Sequence, residues 1–108
     1  MSNAYQDPGP TRDEVDAWTG PTVLEFGADW CGHCQGAAPL VAAALADFPG
    51  VRHVKVADGK GKPLGRSFAV KLWPTLVFLA DGREAARAVR PTDADEVRRG
   101  LEAITSAG

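Results

Sequence analysis

The order of the apolar segments is the feature that most restricts the fold of this chain. Residues 22–28 form a short apolar run rich in strand-forming side chains, residues 31–48 carry apolar side chains at helical spacing, and residues 51–57 alternate as a strand does. A helix that connects two neighbouring strands makes them parallel, with a right-handed crossover. We therefore predict a βαβ unit, with a kink where Pro39 interrupts the helix.

The second half of the chain predicts an antiparallel strand pair and a final helix. Residues 75–80 and 83–89 are separated by Asp81-Gly82, a dipeptide that favours a two-residue hairpin turn. Thr92 is positioned to cap the last helix, and a short helix over residues 64–69 is predicted before the hairpin. The predicted fold class is α/β, a small mixed sheet of four or five strands with helices on both faces.

The first ten residues are predicted to be a flexible tail, because they hold two prolines and little apolar surface. Order is expected from Thr11, where Thr11-Arg12-Asp13-Glu14 has the form of a capping box and begins a short helix. The predicted domain therefore covers residues 11–108. Because no apolar strand precedes it, one sheet edge should be short or covered by the tail of residues 1–10.

Length and charge argue against several functions. The chain has 108 residues, enough for one domain, and its net charge of −2 is spread without the basic stripe that nucleic acid requires. No apolar run approaches the ~20 residues of a membrane span, and the polar beginning of the chain lacks the apolar centre of a signal peptide. We expect a cytoplasmic monomer that binds neither nucleic acid nor membrane.

Trp30-Cys31-Gly32-His33-Cys34 follows the first predicted strand and contains both cysteines of the chain. Cys31 then stands at a helix N-terminus, where unpaired N–H groups and the helix dipole stabilise a thiolate, so Cys31 is the predicted nucleophile. Cys34 lies one turn further on, where it can attack a mixed disulfide on Cys31 and resolve it. A protonated His33 would stabilise the thiolate further and make the centre a stronger oxidant.

Two other uses of the cysteines remain open at this point. A zinc site would have to recruit His33 and His53, because zinc takes three or four protein ligands. The cysteines could also be inert packing thiols. Redox chemistry is the favoured interpretation. His53 is otherwise predicted to be a structural or solvated strand residue, and the sequence shows no partner for it.

These motifs resemble the thioredoxin family, and the Cys-Gly-His-Cys centre is similar to that of protein disulfide isomerase domains. The resemblance covers residues 11–105 and includes F-x-A-x-W-C-G-x-C at residues 26–34, Pro39 eight residues past the first cysteine, and Trp73-Pro74-Thr75 at the place of the family's cis-proline. It implies the thioredoxin fold and thiol-disulfide oxidoreductase activity on protein disulfides. A redox-active Cys31-Cys34 disulfide takes the place of a cofactor or metal, and a thiol reductant or reductase supplies the electrons.

The resemblance also implies roles for residues outside the CxxC motif. Pro74 would face the disulfide with a cis peptide bond, and the backbone of Trp73 would pair with an extended substrate segment. Glu25, in an otherwise apolar strand, matches the family's buried acid, which lies beneath the second cysteine, takes its proton through water and needs a raised pKa for that role. Lys55, in the neighbouring strand, matches the family's partner lysine.

Five residues are expected to face the substrate, and two of them depart from the family pattern. Trp73 is bulkier than the family's usual Ile, Thr or Tyr, and Arg90 stands where thioredoxins usually place a glycine, which argues against recognition by an ordinary thioredoxin reductase. We expect an enzyme that reduces protein disulfides. The alternatives are a disulfide oxidase or isomerase of an exported compartment, favoured by His33, and a redox-inactive thioredoxin-like binding module. The five expected substrate-facing residues are Trp30, Gly32, Trp73, Pro74 and Arg90.

Overall fold

The computed structural model of the protein describes residues 4–105. Within this part of the chain, four strands form one sheet in the order β2-β1-β3-β4. Residues 1–3 of the predicted tail and 106–108 of the predicted domain lie outside the described residues. The strands are β1 (Pro21–Gly27), β2 (Arg52–Ala57), β3 (Thr75–Ala80) and β4 (Arg83–Val89), and the helices are α1 (Arg12–Asp16), α2 (Gly32–Leu45), α3 (Pro63–Ser67) and α4 (Ala94–Thr105).

The strand pairing follows the predicted topology. β1 is parallel to β2, which α2 connects to it, and antiparallel to β3 on its other side. β3 and β4 form the predicted hairpin, and both turn residues have a positive φ, 51° at Asp81 and 78° at Gly82. This is the backbone conformation of a type I′ turn, whose twist matches that of the flanking strands. β1 therefore lies inside the sheet, and its carboxyl end carries the cysteine motif.

Helices cover both faces of the sheet, as predicted, and each face has its own apolar cluster. The face under α2 and α4 buries Val23 of β1, and the face under α1 and α3 buries Leu24 and Phe26 of the same strand. Successive side chains of a strand point to opposite faces, so an apolar run such as β1 needs cover on both sides. Glu25 shares the face of Val23 and is the carboxylate that this arrangement buries.

Two helix N-termini can be compared with their predicted caps. The capping box of α1 is present, because Thr11 N–H donates to Glu14 Oε1 at 2.8 Å and Glu14 N–H donates to Thr11 Oγ1 at 3.1 Å. The predicted Thr92 cap of α4 was wrong by one residue. Glu96 N–H donates to Asp93 Oδ1 at 3.0 Å, and Thr92 instead donates its hydroxyl to Glu96 Oε1 at 2.8 Å.

The N-terminal segment also corrects a prediction, because order begins before Thr11. Gln6 N–H donates to Lys55 O at 2.8 Å, and Ala57 N–H donates to Gln6 O at 2.9 Å, so Gln6 pairs in parallel with the outer edge of β2. Tyr5 beside it is only 8% exposed. An edge strand presents unpaired backbone groups, and this segment satisfies some of them. The edge is therefore covered by the tail, one of the two expected arrangements.

No helix in residues 4–105 combines the length and the apolar character needed to cross a lipid bilayer. α2 is 14 residues long.

Two helical glycines should respond oppositely to alanine. A Cβ at Gly100 in α4 would overlap the ring of Phe78, so we expect Gly100→Ala to lower the free energy of unfolding by about 1–3 kcal/mol. A Cβ at Gly36 in α2 meets no atom within 4 Å, so Gly36→Ala is expected to raise that free energy by about 0.5–1 kcal/mol. Urea unfolding measures both, and changes of equal sign would contradict the close packing of α4 on β3.

Candidate active site

The two cysteines lie where β1 ends and α2 begins. Cys31 is the N-cap residue of α2, and Cys34 N–H donates to its Sγ at 3.2 Å. Both are free thiols, with Cys31 7% and Cys34 3% exposed. The free N–H groups and the positive end of the dipole of a 14-residue helix therefore favour an anion at Cys31.

Cys34 sits in a different electrostatic environment. Its burial, and then its hydrogen bond with Cys31, raise the pKa of the Cys34 thiol to about 11. Cys34 is therefore a neutral thiol near pH 7, and it must lose a proton before it can act as a nucleophile. The two sulfurs therefore differ, because Cys31 Sγ caps a helix and accepts a backbone N–H whereas Cys34 is held as a thiol.

Glu25 lies in the middle of β1 and is only 3% exposed. Burial raises the pKa of its carboxyl, but hydrogen bonds from His53 and Tyr5 lower it further than burial raises it, so the net direction is downward. The predicted raised pKa of Glu25 was therefore wrong in direction, because two donors stabilise the carboxylate. Glu25 is ionised at neutral pH and accepts protons.

The direct partner of Glu25 on the neighbouring strand is His53. His53 Nε2 lies 2.8 Å from Glu25 Oε1, and since a carboxylate only accepts, this nitrogen donates. Lys55 is the residue opposite Glu25 in the parallel register, as predicted, and its Nζ lies over the Tyr5 ring, 4.3 Å from the centroid. The sequence showed no partner for His53, and the fold supplies one in Glu25. The alternation of β2 places His53 and Lys55 on one face, and that pattern was the available signal.

Tyr5 is the site residue that sequence reasoning missed. Its hydroxyl donates a short hydrogen bond to Glu25 Oε2, and its N–H donates to Asp29 Oδ1 at 3.1 Å. The hydroxyl also lies beside the Cys34 thiol, and both groups border the open space over Gly27. No motif spacing connects a lone tyrosine in an N-terminal segment to a cysteine on α2, so the sequence contained no signal for it.

Gly27 leaves the space in which the phenol and the thiol meet. A Cβ at this position would lie 2.6 Å from Cys34 Sγ and 2.7 Å from the Tyr5 hydroxyl oxygen. Both distances are shorter than van der Waals contact, so a larger residue would displace one of the two groups. The last residue of β1 is thus a glycine because the site needs the room.

An apolar surface adjoins the cysteines. Trp30 is 76% exposed, and its ring packs edge-on against Trp73 with the centroids 5.5 Å apart. Trp73 Nε1–H donates to Asp58 Oδ2 at 2.9 Å, which fixes the second ring. The Trp73-Pro74 peptide bond is cis, which confirms that prediction.

Arg90 borders the apolar surface of Trp30 and Trp73. Its backbone has φ 48°, a conformation that glycine adopts without strain. Arg90 Nε–H donates to Trp73 O at 2.8 Å, so the carbonyl expected to pair with a substrate already accepts one hydrogen bond and has one lone pair left. A groove of about 630 Å³ separates this arginine from the start of α2, with Gly32 and His33 on its opposite wall.

The zinc alternative finds no support in the positions of the histidines. His53 is bonded to Glu25. Among residues 4–105, no group of three or more His, Cys, Asp and Glu side chains is arranged to hold a metal ion.

Comparisons with known proteins identify the family of the chain. The family model described as Thioredoxin matches residues 11–103, and the chain belongs to the thioredoxin family. A structure of reduced thioredoxin 2 from Pseudomonas aeruginosa PAO1 is 55% identical, with a TM-score of 0.88 and 100% of both chains covered. A thioredoxin from Chlamydia trachomatis is 34% identical over 80 residues, 73% of this chain and 78% of that protein.

Other relatives are matched over less of their length. A thioredoxin H-type protein from Oryza sativa is 36% identical over 67 residues, which is 62% of this chain and 55% of the relative. The chain thus spans about half the length of this plant protein. Thioredoxins are protein-disulfide oxidoreductases that use a redox-active disulfide without a bound cofactor, and the neighbouring Cys31 and Cys34 fit such a centre.

The only tyrosine of the chain makes its phenol directly observable. Burial and the Glu25 carboxylate raise the pKa of Tyr5, so tyrosinate absorbance should not develop near pH ~10, where an exposed tyrosine ionises. Since the unfolded chain loses this proton first, the free energy of unfolding should fall as pH rises above about 10.

The matched variant is Glu25→Gln, which removes the charge beside the phenol and should move the absorbance change to lower pH. Urea-unfolded protein provides the reference titration. Ionisation of the folded wild type at the unfolded midpoint would mean that Tyr5 is in solvent and would contradict this site.

Proposed function

We propose that the protein reduces disulfide bonds in other proteins, with Cys31 as nucleophile and Cys34 as resolving thiol. The observation that carries the proposal is the unequal environment of the two sulfurs. Cys31 Sγ lies at the N-terminus of α2 and accepts a backbone N–H, while Cys34 is held as a thiol with a pKa of about 11. Family membership and the match to reduced thioredoxin 2 support the same chemistry.

The reaction moves two electrons in two displacements. The Cys31 thiolate attacks one sulfur of the substrate disulfide, so a mixed disulfide forms and the first substrate thiolate leaves to take a proton from water. Deprotonated Cys34 then attacks Cys31 Sγ, which breaks the mixed disulfide and releases the second substrate thiolate. The protein ends with a Cys31-Cys34 disulfide, and an external thiol reductant or reductase restores the dithiol.

The surrounding residues have distinct proposed tasks. Glu25 accepts the Cys34 proton, and Lys55 acts on Glu25 through its charge from its place over the Tyr5 ring. His33, next to Cys31, stabilises the thiolate when it is protonated. Gly32, Trp30, Trp73, Pro74 and Arg90 form the surface that receives an extended substrate segment.

The partners and compartment follow from this chemistry. The substrates are protein disulfides, and the protein acts as a monomer in the cytoplasm, where thiols are kept reduced. The relatives named thioredoxin support that assignment. Arg90 narrows the groove beside Trp73, so the electron donor must accommodate a cation there.

Replacement of the resolving thiol should trap the substrate. We expect Cys34→Ser, incubated with a disulfide-bonded protein such as insulin, to accumulate a mixed disulfide at Cys31 that mass spectrometry locates. Cys31→Ser should accumulate none and should lose at least about 100-fold in reduction rate, because Cys34 is buried and protonated. Equal trapping by both variants would contradict the assigned roles.

The double Cys→Ser variant separates catalysis from docking. Because neither thiol remains, it should reduce no disulfide. Retention of biological activity by this variant would instead support a redox-inactive binding module.

A second candidate function is oxidation or isomerisation of disulfides, which the position of His33 beside Cys31 favours. The two functions differ in the equilibrium potential of the Cys31-Cys34 couple. We expect a value between about −270 mV, typical of thioredoxin, and about −180 mV, typical of protein disulfide isomerase, as measured in glutathione buffers. If a His33 cation stabilises the Cys31 thiolate and with it the dithiol form, His33→Ala should be more reducing by on the order of 30 mV, a tenfold change in the equilibrium constant. A wild-type potential above the value of about −180 mV that is typical of protein disulfide isomerase would contradict the proposal that the protein is a reductase.

A further inference from the structure

We propose that Tyr5 is a proton relay between the Cys34 thiol and the Glu25 carboxylate, supplied to the active site by the N-terminal segment. The inference rests on the proposed function, because it concerns the step in which Cys34 resolves the mixed disulfide. It assigns a catalytic task to a segment that lies before the part of the chain matched by the family model, residues 11–103.

The segment is fixed at several points, so the phenol has a defined position. The backbone of Gln6 pairs with the edge of β2 through hydrogen bonds of 2.8 and 2.9 Å. Tyr5 N–H binds Asp29, which is two residues before Cys31, and Asp7 forms an ion pair of 2.8 Å with Lys62. Contacts on both sides of Tyr5 therefore hold its side chain between β1 and α2.

The directions of the hydrogen bonds follow from what each group has to offer. Tyr5 has one O–H and two lone pairs, whereas the Glu25 carboxylate only accepts. Tyr5 therefore donates its proton to Glu25 Oε2. Its oxygen, beside Cys34 Sγ over Gly27, has lone pairs left to accept the S–H of the neutral thiol. Thiol, phenol and carboxylate form one directed chain of donors and acceptors.

When Cys34 resolves the mixed disulfide, one proton moves along each hydrogen bond of this chain. With the mixed disulfide on Cys31, the Cys34 proton moves to the Tyr5 oxygen while the Tyr5 proton moves to Glu25 Oε2. The new Cys34 thiolate attacks Cys31 Sγ and expels the substrate thiolate, which takes its proton from water. Tyr5 ends neutral and Glu25 protonated, so charge and protons balance. His53 keeps its hydrogen bond to the other carboxyl oxygen, Oε1, during this transfer.

The charged surroundings favour a concerted transfer. Glu25 faces the phenol from β1, Lys55 and His53 approach from β2, Cys31 and Cys34 from the start of α2, and Asp29 from the preceding loop. Burial and the carboxylate raise the pKa of Tyr5, so a free phenolate is disfavoured. One proton must therefore reach the oxygen as the other leaves.

The test is Tyr5→Phe in the full chain, which keeps the ring and removes the hydroxyl. The reduced protein is mixed rapidly with an aromatic disulfide whose released thiol absorbs visible light. The first thiol equivalent reports the attack by Cys31, and the second reports resolution by Cys34. We expect Tyr5→Phe to release the first equivalent within twofold of the wild-type rate and the second at least about tenfold more slowly near pH 7, given the size of general acid–base effects.

The pH profile distinguishes a relay from a structural effect. The difference between Tyr5→Phe and wild type in the rate of second-equivalent release should shrink as pH rises toward about 11, the pKa of Cys34, because the thiol then ionises without a relay. Asp16→Asn, which weakens an exposed ion pair with Arg12 away from the site, is the matched control and should stay within twofold of wild type at every pH. A constant deficit across the range would overturn the relay.

Glu25→Gln interrupts the same path from its other end. Glu25→Gln should slow release of the second thiol equivalent as Tyr5→Phe does. The double variant should be no slower than the slower single variant, because both substitutions interrupt the same path. Wild-type release of the second equivalent by Tyr5→Phe or by Glu25→Gln would overturn the relay. Absence of the first equivalent in wild-type protein would instead refute the proposed function itself.

Discussion

The burial of one carboxylate, that of Glu25, is the constraint on which the rest of the site depends. A charge removed from water costs several kcal/mol unless hydrogen-bond donors replace the solvent. Here the donors come from two distant segments, His53 of β2 and Tyr5 of the N-terminal segment. The parallel register of β1 and β2 and the docking of the first residues are thus tied to the same group. Because both donors favour the ionised form, the carboxylate stays a base inside the protein.

The same arrangement explains why the two thiols behave differently. Cys31 lies at the end of a helix, where backbone N–H groups favour an anion. Cys34 lies beside Tyr5, in a buried setting that retains its proton. Gly27 permits this contact because any Cβ would occupy the space between phenol and thiol. The first thiol is therefore ready to attack a substrate, and the second becomes reactive when a proton can leave it.

Local patterns predicted most of the fold, and contacts between distant segments account for the errors at the site. The hairpin at Asp81-Gly82 depends on neighbouring residues, so its prediction was confirmed. The cap of α4 was misplaced because Thr92 and Asp93 are adjacent and both residue types cap helices. Tyr5 could not be found, since its site forms only when the segment pairs with the edge of β2. The pKa direction of Glu25 depends on how many donors reach it, and only the folded geometry shows that His53 is one of them.

The most direct measurement of the central claim, that Tyr5 connects the thiol to the carboxylate, is a neutron crystal structure of the reduced protein. Deuterium positions show which atom donates in each hydrogen bond. We expect one deuterium on the Tyr5 oxygen directed at Glu25 Oε2 and one on Cys34 Sγ directed at the Tyr5 oxygen. A water molecule that joins Cys34 to Glu25, with the Tyr5 hydroxyl directed elsewhere, would contradict it.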